Sequence, residues 1–407
     1  MTITPLRSPG SIHRTTTPEH GRRPDLRDVR DVRALTNPDT FTKASAEPKR
    51  TTTQAKRSAW VQSPTRGIDA IDARLRKSGF NGTVLVAKNG KVLMERGYGL
   101  ANRTTGVKNG ADTLYDVGSV TKQFTAAALL KLQEQGKLSL DDPISKYFEV
   151  PAARRDITLR QLLQHRSGLG YPSESALANT NPDDPKSFLE AFLAKAPTIG
   201  KPGERYEYSN LGYNVLANVV EQASGRSYED YVKRNLFGPA KMTSSGFNEP
   251  GSVDPQRAAT GYENRNEEAL PAGELPNSWG YKGATGVVTS ARDMLRWAEA
   301  LKDNRVLSKA STQELFATAG DRSGYALGWE VQRDAKGNIT SVGHGGSTIG
   351  FASNFTIDPR SGMVFVTLSN DEAGSERAIG IPEEEWAKYA RRLDDLGRPS
   401  TWPSLGK

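Results

Sequence analysis

The chain has 407 residues, 36% of them hydrophobic and 25% charged, with 55 Lys and Arg against 47 Asp and Glu. Those proportions belong to a soluble globular protein with a large core, and the length allows two or three domains. With no cysteine in the chain, disulfides, thiolate metal sites and a cysteine nucleophile are all excluded.

Residues 1–66 carry 13 Lys and Arg against 6 Asp and Glu, whereas the remainder carries 42 against 41. The basicity therefore belongs to the tail, and no nucleic-acid partner is expected for the folded part. Rich in Thr, Pro and Arg, with Phe41 and Trp60 as its aromatics, the tail buries too little apolar surface to offset its ordering entropy and is expected to be disordered. Its opening "MTITP" resembles the start of the β-galactosidase α-fragment of cloning vectors, which leaves an artificial leader and a natural basic extension both open. No apolar h-region occurs near the start, and no run approaches the roughly 18 apolar residues of a membrane span. The chain as sequenced is expected in the cytoplasm with no membrane partner. A periplasmic or secreted address would follow if an artificial leader had replaced an export signal.

From residue 67, "GIDAIDARLRKSGF" sets Ile68, Ile71 and Leu75 at helical spacing, and "GTVLVAKNGKVLMERGYG" predicts two strands joined at Asn89-Gly90. From Val120 the apolar positions Phe124, Ala127, Ala128 and Leu132 keep a helical period, with Gly136 as the stop. Residues 137–300 hold the helical runs "ITLRQLLQH", "SFLEAFLAKA" and "NVLANVVEQAS" between Pro- and Gly-rich loops. Strand patterning returns in "YALGWEVQ", "FASNFTIDP" and "MVFVTLSN", with turns at "DAKGN" and "PRSG", before a final helix near 382–395. Strands at both ends with helices between them predict an α+β fold whose antiparallel sheet is closed by both termini.

Three short stretches carry candidate chemistry. In "DVGSVTKQFT", Ser119 and Lys122 stand three apart on one helical face, with Ser119 at the N-terminus, where unpaired N–H groups favour developing negative charge. The same setting, with burial, would lower the pKa of Lys122, and a neutral amine is a base. The bland alternative makes Ser119 an N-cap and Lys122 a solvated side chain. In "YEYSNLGY", Tyr208 and Asn210 directly precede a helix, where a phenol is held rigidly enough to relay a proton; the second Y-x-N, Tyr262 with Asn264, lies in a polar loop. In "GHGGSTIGF", His344 precedes two glycines that permit close backbone approach. A lipase-type α/β-hydrolase would also use such a loop but requires G-x-S-x-G, which is absent. His165 and His344 do not form an H-E-x-x-H pair, so no metal is expected.

The order S-x-x-K, Y-x-N, H-G-G, together with "LLQHRSGL", "ERGYGLANRTTG", "KPGERYEYSNLGY" and "NLFGPAKMTSSGF", resembles the class C β-lactamase and serine DD-peptidase family, the penicillin-recognising hydrolases that include family VIII esterases and D-aminopeptidases. The resemblance spans about residues 67–395. It implies a β-lactamase/transpeptidase-like fold, with an α/β part at 67–136 and 285–395, a mainly helical subdomain at 137–284 and a tail at 396–407. It further implies Ser119 as nucleophile, Lys122 as its base, Tyr208 as proton shuttle to the leaving group and Asn210 as a contact for Lys122 and the substrate amide. His344 opens the third motif on an edge strand beside Gly346, and the oxyanion hole would be the N–H groups of Ser119 and Ser347. No cofactor is implied.

Where β-lactamases of this family resemble Lys-Thr-Gly, this chain has His344-Gly345-Gly346, and a neutral imidazole attracts a substrate carboxylate less than lysine does. Histidine in that place resembles D-aminopeptidases and some D-alanyl carboxypeptidases, and β-lactamase activity is marked down; the leading expectation is a carboxylesterase on short-chain esters. The alternative is a D-alanyl carboxypeptidase or D-aminopeptidase, with weak or no β-lactamase activity. A non-catalytic penicillin-recognising binding protein stands behind both, since it would have no need of a proton relay. His165 is expected to satisfy carbonyls at a helix end, and the loops 171–204 and 247–283, with Tyr171, Tyr262, Trp279 and Tyr281, either line the pocket or pack as surface.

Overall fold

A computed structural model describes residues 64–171, 184–263, 267–275, 279–320, 323–371, 400–402 and 405. Nearly all of the basic tail, the helix expected near 382–395 and most of the 396–407 tail lie outside the described residues.

Helix α1 (Pro64–Ser78) stops at Gly79, whose φ of 70° suits an achiral residue. Strands β1 (Gly82–Lys88) and β2 (Lys91–Tyr98) follow. Asn89 and Gly90 between them have φ of 49° and 80°, the paired positive values that a two-residue type I′ hairpin demands. Four C-terminal strands complete the sheet: β3 (Glu330–Arg333), β4 (Ile339–Thr348), β5 (Phe351–Asp358) and β6 (Met363–Ser369). The order is β3-β4-β5-β6-β1-β2, antiparallel throughout, and β1 joins β6 from Gly82 opposite Ser369 to Lys88 opposite Met363. The expected closure by both ends of the folded chain is thus the β1–β6 pair. Turns fall at Gly337 and Gly362, both at positive φ, within the predicted "DAKGN" and "PRSG".

The sheet separates two cores because alternate residues of a strand point to opposite faces. Val84 and Val86 join Ile71, Leu75, Phe80, Met94, Met363 and Phe365 beneath α1, whereas Leu85, Ala87, Val364 and Val366 belong to the larger core. That larger core encloses helices α2 (Thr121–Glu134), α3 (Asn210–Ser224) and α4 (Ala291–Lys302). Helix α2 is buried on every side from Thr121 to Leu130. A one-sided apolar stripe would have made it a surface helix; polar Thr121, Lys122, Gln123 and Thr125 are buried with it.

Among the described residues between α2 and α4, separate helices joined by loops run as far as Ala240, and short strands follow. Gly246–Phe247 pairs with Val287–Thr289, which pairs with Tyr115–Asp116 just before Ser119. Thr260–Glu263 pairs with Glu267–Pro271, so Tyr262, expected in a polar loop, stands on a strand.

Leu75 is 1% exposed in the smaller core. Leu75→Ala is expected to destabilise the fold by about 2–5 kcal/mol, the usual range for such a cavity, with little change in the chemistry of the remote site. The midpoint of denaturant unfolding checks this.

Candidate active site

Ser119 sits in the 3-10 turn Gly118–Val120 that runs into α2, and its hydroxyl does not cap the helix, whose N-cap position is Val120 with no side-chain bond. The N-cap alternative for Ser119 therefore fails. Instead, Oγ lies 2.9 Å from Lys122 Nζ and accepts a 2.8 Å hydrogen bond from the Tyr208 hydroxyl. One helical step brings Lys122 beneath Ser119, and its side chain is fully buried, not solvated.

Lys122 Nζ also donates to Asn210 Oδ1 at 2.7 Å and to the Ala284 carbonyl at 3.0 Å. All three partners are uncharged. Burial accordingly lowers the Lys122 pKa well below the ordinary lysine value. A neutral amine places two N–H groups on the two carbonyl oxygens and leaves its lone pair for the Ser119 hydroxyl. Burial also pushes the Tyr208 phenol upward, so it remains protonated and able to donate to Oγ.

The Y-x-N spacing has a local cause. Ser209 caps α3, its hydroxyl accepting the Gly212 N–H, so Asn210 is the first helical residue and Tyr208 the last residue before the cap. Ala284 is held as firmly: the consecutive carbonyls of Lys282, Gly283 and Ala284 accept from Asn214, Thr125 and Lys122. Gly283 has φ of 80°, and a Cβ there would stand 2.6 Å from Ala217 Cβ and 2.8 Å from the Tyr213 carbonyl oxygen. A backbone carbonyl carries no side-chain signature, which is why Ala284 could not be found from the sequence.

Strand β4 meets the turn that carries Ser119 backbone to backbone. A Cβ on Gly346 would come 2.1 Å from the Val117 oxygen and 3.0 Å from Ser119 N, and one on Gly118 would come 2.8 Å from Ser347 N. These two glycines allow the Ser119 and Ser347 amides, the expected oxyanion donors, to share one small region. Ser353 Oγ donates to the Val117 carbonyl at 2.8 Å and ties the turn to β5 as well. Asp116, missed in the sequence, accepts the Gly118 N–H at 2.6 Å and the Asn248 amide. Burial pushes its carboxyl up to about 6, against those two bonds.

The third motif departs from expectation. Strand β4 is not the edge of the sheet: β3 pairs with it from Ile339 to Gly343, and only the stretch from His344 onward lies beyond that pairing. His344 is 4% exposed, with Nε2 2.9 Å from the Tyr325 hydroxyl and Nδ1 against the Gly345 carbonyl oxygen. Nδ1 therefore carries the proton and Nε2 accepts from Tyr325. Burial, then the neighbouring Lys122 amine, lower its pKa to about 3. The ring is neutral and both nitrogens are engaged, so the expected contact with substrate is not made through a free imidazole nitrogen. The His165 backbone N–H donates to the helix-end carbonyl of Leu162 at 3.1 Å, but its side chain differs from expectation: its Nδ1 accepts the Ser209 N–H at 3.0 Å. Of the expected pocket aromatics, Tyr262 is buried and its hydroxyl accepts the Arg103 N–H, while Trp279 packs against Lys282 Nζ, 4.8 Å from the ring centroid. Tyr171 is exposed, at the border of the undescribed residues 172–183. Among the described residues no cluster of His, Asp and Glu could hold a metal ion, and no helix is long and apolar enough to cross a membrane.

The family model described as Beta-lactamase matches residues 36–387. The chain is 34% identical over 261 residues to the PbpX protein of Bacillus subtilis (strain 168), covering 64% of each. It is 29% identical over 312 residues to Protein flp of Staphylococcus aureus (strain N315), covering 74% of this chain and 61% of that one. It thus spans slightly less than two thirds of these curated relatives. The structure of the penicillin binding protein from Bacillus halodurans aligns with a TM-score of 0.66 and 26% identity, covering 77% of this chain and 98% of that one. The D-amino acid amidase from Ochrobactrum anthropi SV3 aligns with a TM-score of 0.66 at 22% identity, covering 82% of this chain and all of that one, a likeness of fold alone.

As base for Ser119, Lys122 would have to be neutral, so activity should be full above its lowered pKa and fall as pH drops through it. The pH profile of kcat/KM with an uncharged substrate is expected to show an acid limb far below the ordinary lysine value of 10.5. Lys122→Arg, always charged, should abolish the activity at every pH.

Proposed function

The chain belongs to the β-lactamase family of serine hydrolases, and on that premise we propose that it cleaves short-chain carboxylic esters through an acyl-enzyme on Ser119. One observation carries the reading: Ser119 Oγ contacts a buried amine with uncharged partners on one side and a half-buried phenol on the other.

In this mechanism the Lys122 lone pair takes the Ser119 proton as Oγ bonds to the substrate carbonyl carbon. The carbonyl electrons move to oxygen, where the Ser119 and Ser347 N–H groups receive the charge; losing one such donor typically costs on the order of 100-fold in rate. When the tetrahedral intermediate collapses, the bond to the leaving oxygen breaks and that oxygen takes the Tyr208 proton. Lys122 then returns its proton to the Tyr208 phenolate. In the second half, water loses a proton to the regenerated base, attacks the acyl carbon and releases the acid, and Ser119 recovers its hydrogen. The opposite pKa displacements support this division, with the lowered amine accepting and the raised phenol donating.

Charge supports a substrate without a free carboxylate. His344 is neutral and brings no positive charge to the third motif. A D-alanyl carboxypeptidase or a β-lactamase must hold a free carboxylate, which favours a cation at that place; an ester hydrolase or a D-aminopeptidase acting on an uncharged amide has no such need. Esters should therefore be turned over well and penicillins weakly or not at all.

Quenched-flow mass spectrometry after mixing with an activated short-chain ester tests the reading. An acyl adduct on Ser119 that forms and decays, and is missing from Ser119→Ala, is expected. A persistent adduct would mean a trap, and no adduct with an ester, a D-alanyl peptide or a penicillin would mean a fold used for binding only.

A further inference from the structure

Tyr208 is clasped by a single residue of another segment. The N–H groups of both its chain neighbours are bound by His165: Glu207 N donates to the His165 carbonyl at 2.7 Å, and Ser209 N donates to His165 Nδ1 at 3.0 Å. Between those bonds the imidazole lies against the Tyr208 ring, with centroids 4.3 Å apart and planes 37° from parallel. Tyr206, Tyr213 and Tyr325 surround the same imidazole at 5.8, 5.1 and 4.6 Å. From this geometry we propose that His165 is the positioning residue for Tyr208, fixing the height and direction of the phenol over Ser119 so that it can protonate the leaving group. The inference rests on the role given to Tyr208 above.

Two local costs at His165 are not explained by space-filling. Its φ is 55°, a left-handed value uncommon for a residue with a side chain. With Nδ1 accepting from Ser209 in a neutral ring, the proton sits on Nε2, a buried atom with no hydrogen-bond partner among the described residues. An apolar side chain would fill the cage without leaving that donor unpaired. What it could not supply is the Nδ1 acceptor. Burial, and then the Lys122 and His344 groups, keep the ring uncharged, so this acceptor persists across the working pH range.

The test uses the full chain and a series of esters with one acyl group and leaving alcohols from p-nitrophenol to ethanol, read as single-turnover acylation rates. Ethoxide needs a proton at departure and p-nitrophenolate does not, so Tyr208→Phe should slow the ethyl ester by about 100-fold or more and the p-nitrophenyl ester far less. His165→Gly, which keeps the left-handed backbone but removes the acceptor and the stacked ring, should copy that pattern at about 10- to 100-fold on the ethyl ester. His165→Asn, which tolerates positive φ and retains an acceptor near Nδ1, should recover much of the loss. On a Tyr208→Phe background His165→Gly should add no further leaving-group dependence.

Equal slowing of both esters by His165→Gly, or no recovery in His165→Asn, would overturn the proposal, because a merely structural role lowers every substrate alike. Thermal unfolding is followed for each variant. Should the glycine variant not fold, His165→Met, which fills the space without accepting from Ser209, takes its place under the same criteria. A Tyr208→Phe variant that itself lacks leaving-group dependence would locate the failure in the role of Tyr208, and the proposal would fall with it. Dependence in Tyr208→Phe without dependence in His165→Gly would overturn His165 alone.

Discussion

A lysine side chain buried completely among uncharged partners is the constraint around which this molecule is arranged. An ammonium ion in that position would have to give up its hydration without a neighbouring carboxylate to compensate, so the neutral amine is the form the site favours. Two carbonyl oxygens, one from the first turn of α3 and one from the loop before α4, take its N–H groups. That requirement makes α2 the central helix and explains why polar Thr121 and Thr125 accompany Lys122 inside. Thr125 donates to the Gly283 carbonyl and Thr121 accepts the Val287 N–H, so both hold the loop that carries Ala284.

The sheet supplies rigidity at the place where charge would develop. Strand β4 is paired with β5 over its length from Val342 to Thr348, and its glycines let it touch the turn that carries Ser119 without side chains between them. Amides held by a packed sheet need not reorganise when an oxyanion forms. Asp116 performs a related service from below. Its carboxylate bridges Gly118 and Asn248, and Asn248 in turn accepts the Gly273 N–H, so three distant segments meet under Ser119. Protonation of a carboxyl raised to about 6 weakens its acceptor bonds while relieving its burial cost. The stability it contributes therefore rises as pH falls from 6 toward 4, opposite in sign to that of His344 between 6.5 and 3.

Around Ser119, Lys122 and Tyr208 lies a cluster in which aromatic rings replace charge. His165 and His344 are both bound to backbone or tyrosine and both neutral, and Tyr206, Tyr208, Tyr213 and Tyr325 pack around them. A low-dielectric wall of this kind strengthens the hydrogen bonds at Ser119 and presents no cation to an anionic substrate.

The local elements were determined by the sequence alone wherever a short-range pattern decides: Asn89-Gly90 forced the hairpin, Ile71 and Leu75 set the buried side of α1, and the turns at Gly337 and Gly362 ended their strands. The spacing of Ser119 and Lys122, and of Tyr208 and Asn210, was equally legible because each pair is joined by one turn or one helix cap. Strand β4 was not read from periodicity, since its glycines erase the alternation on which strand patterns rest. The lysine's neutrality, the Ala284 carbonyl, the Asp116 clasp and the enclosure of His344 were decided only by tertiary structure. Each depends on which distant backbone groups surround a side chain and on how much water they exclude, and neither is a property of neighbours in sequence.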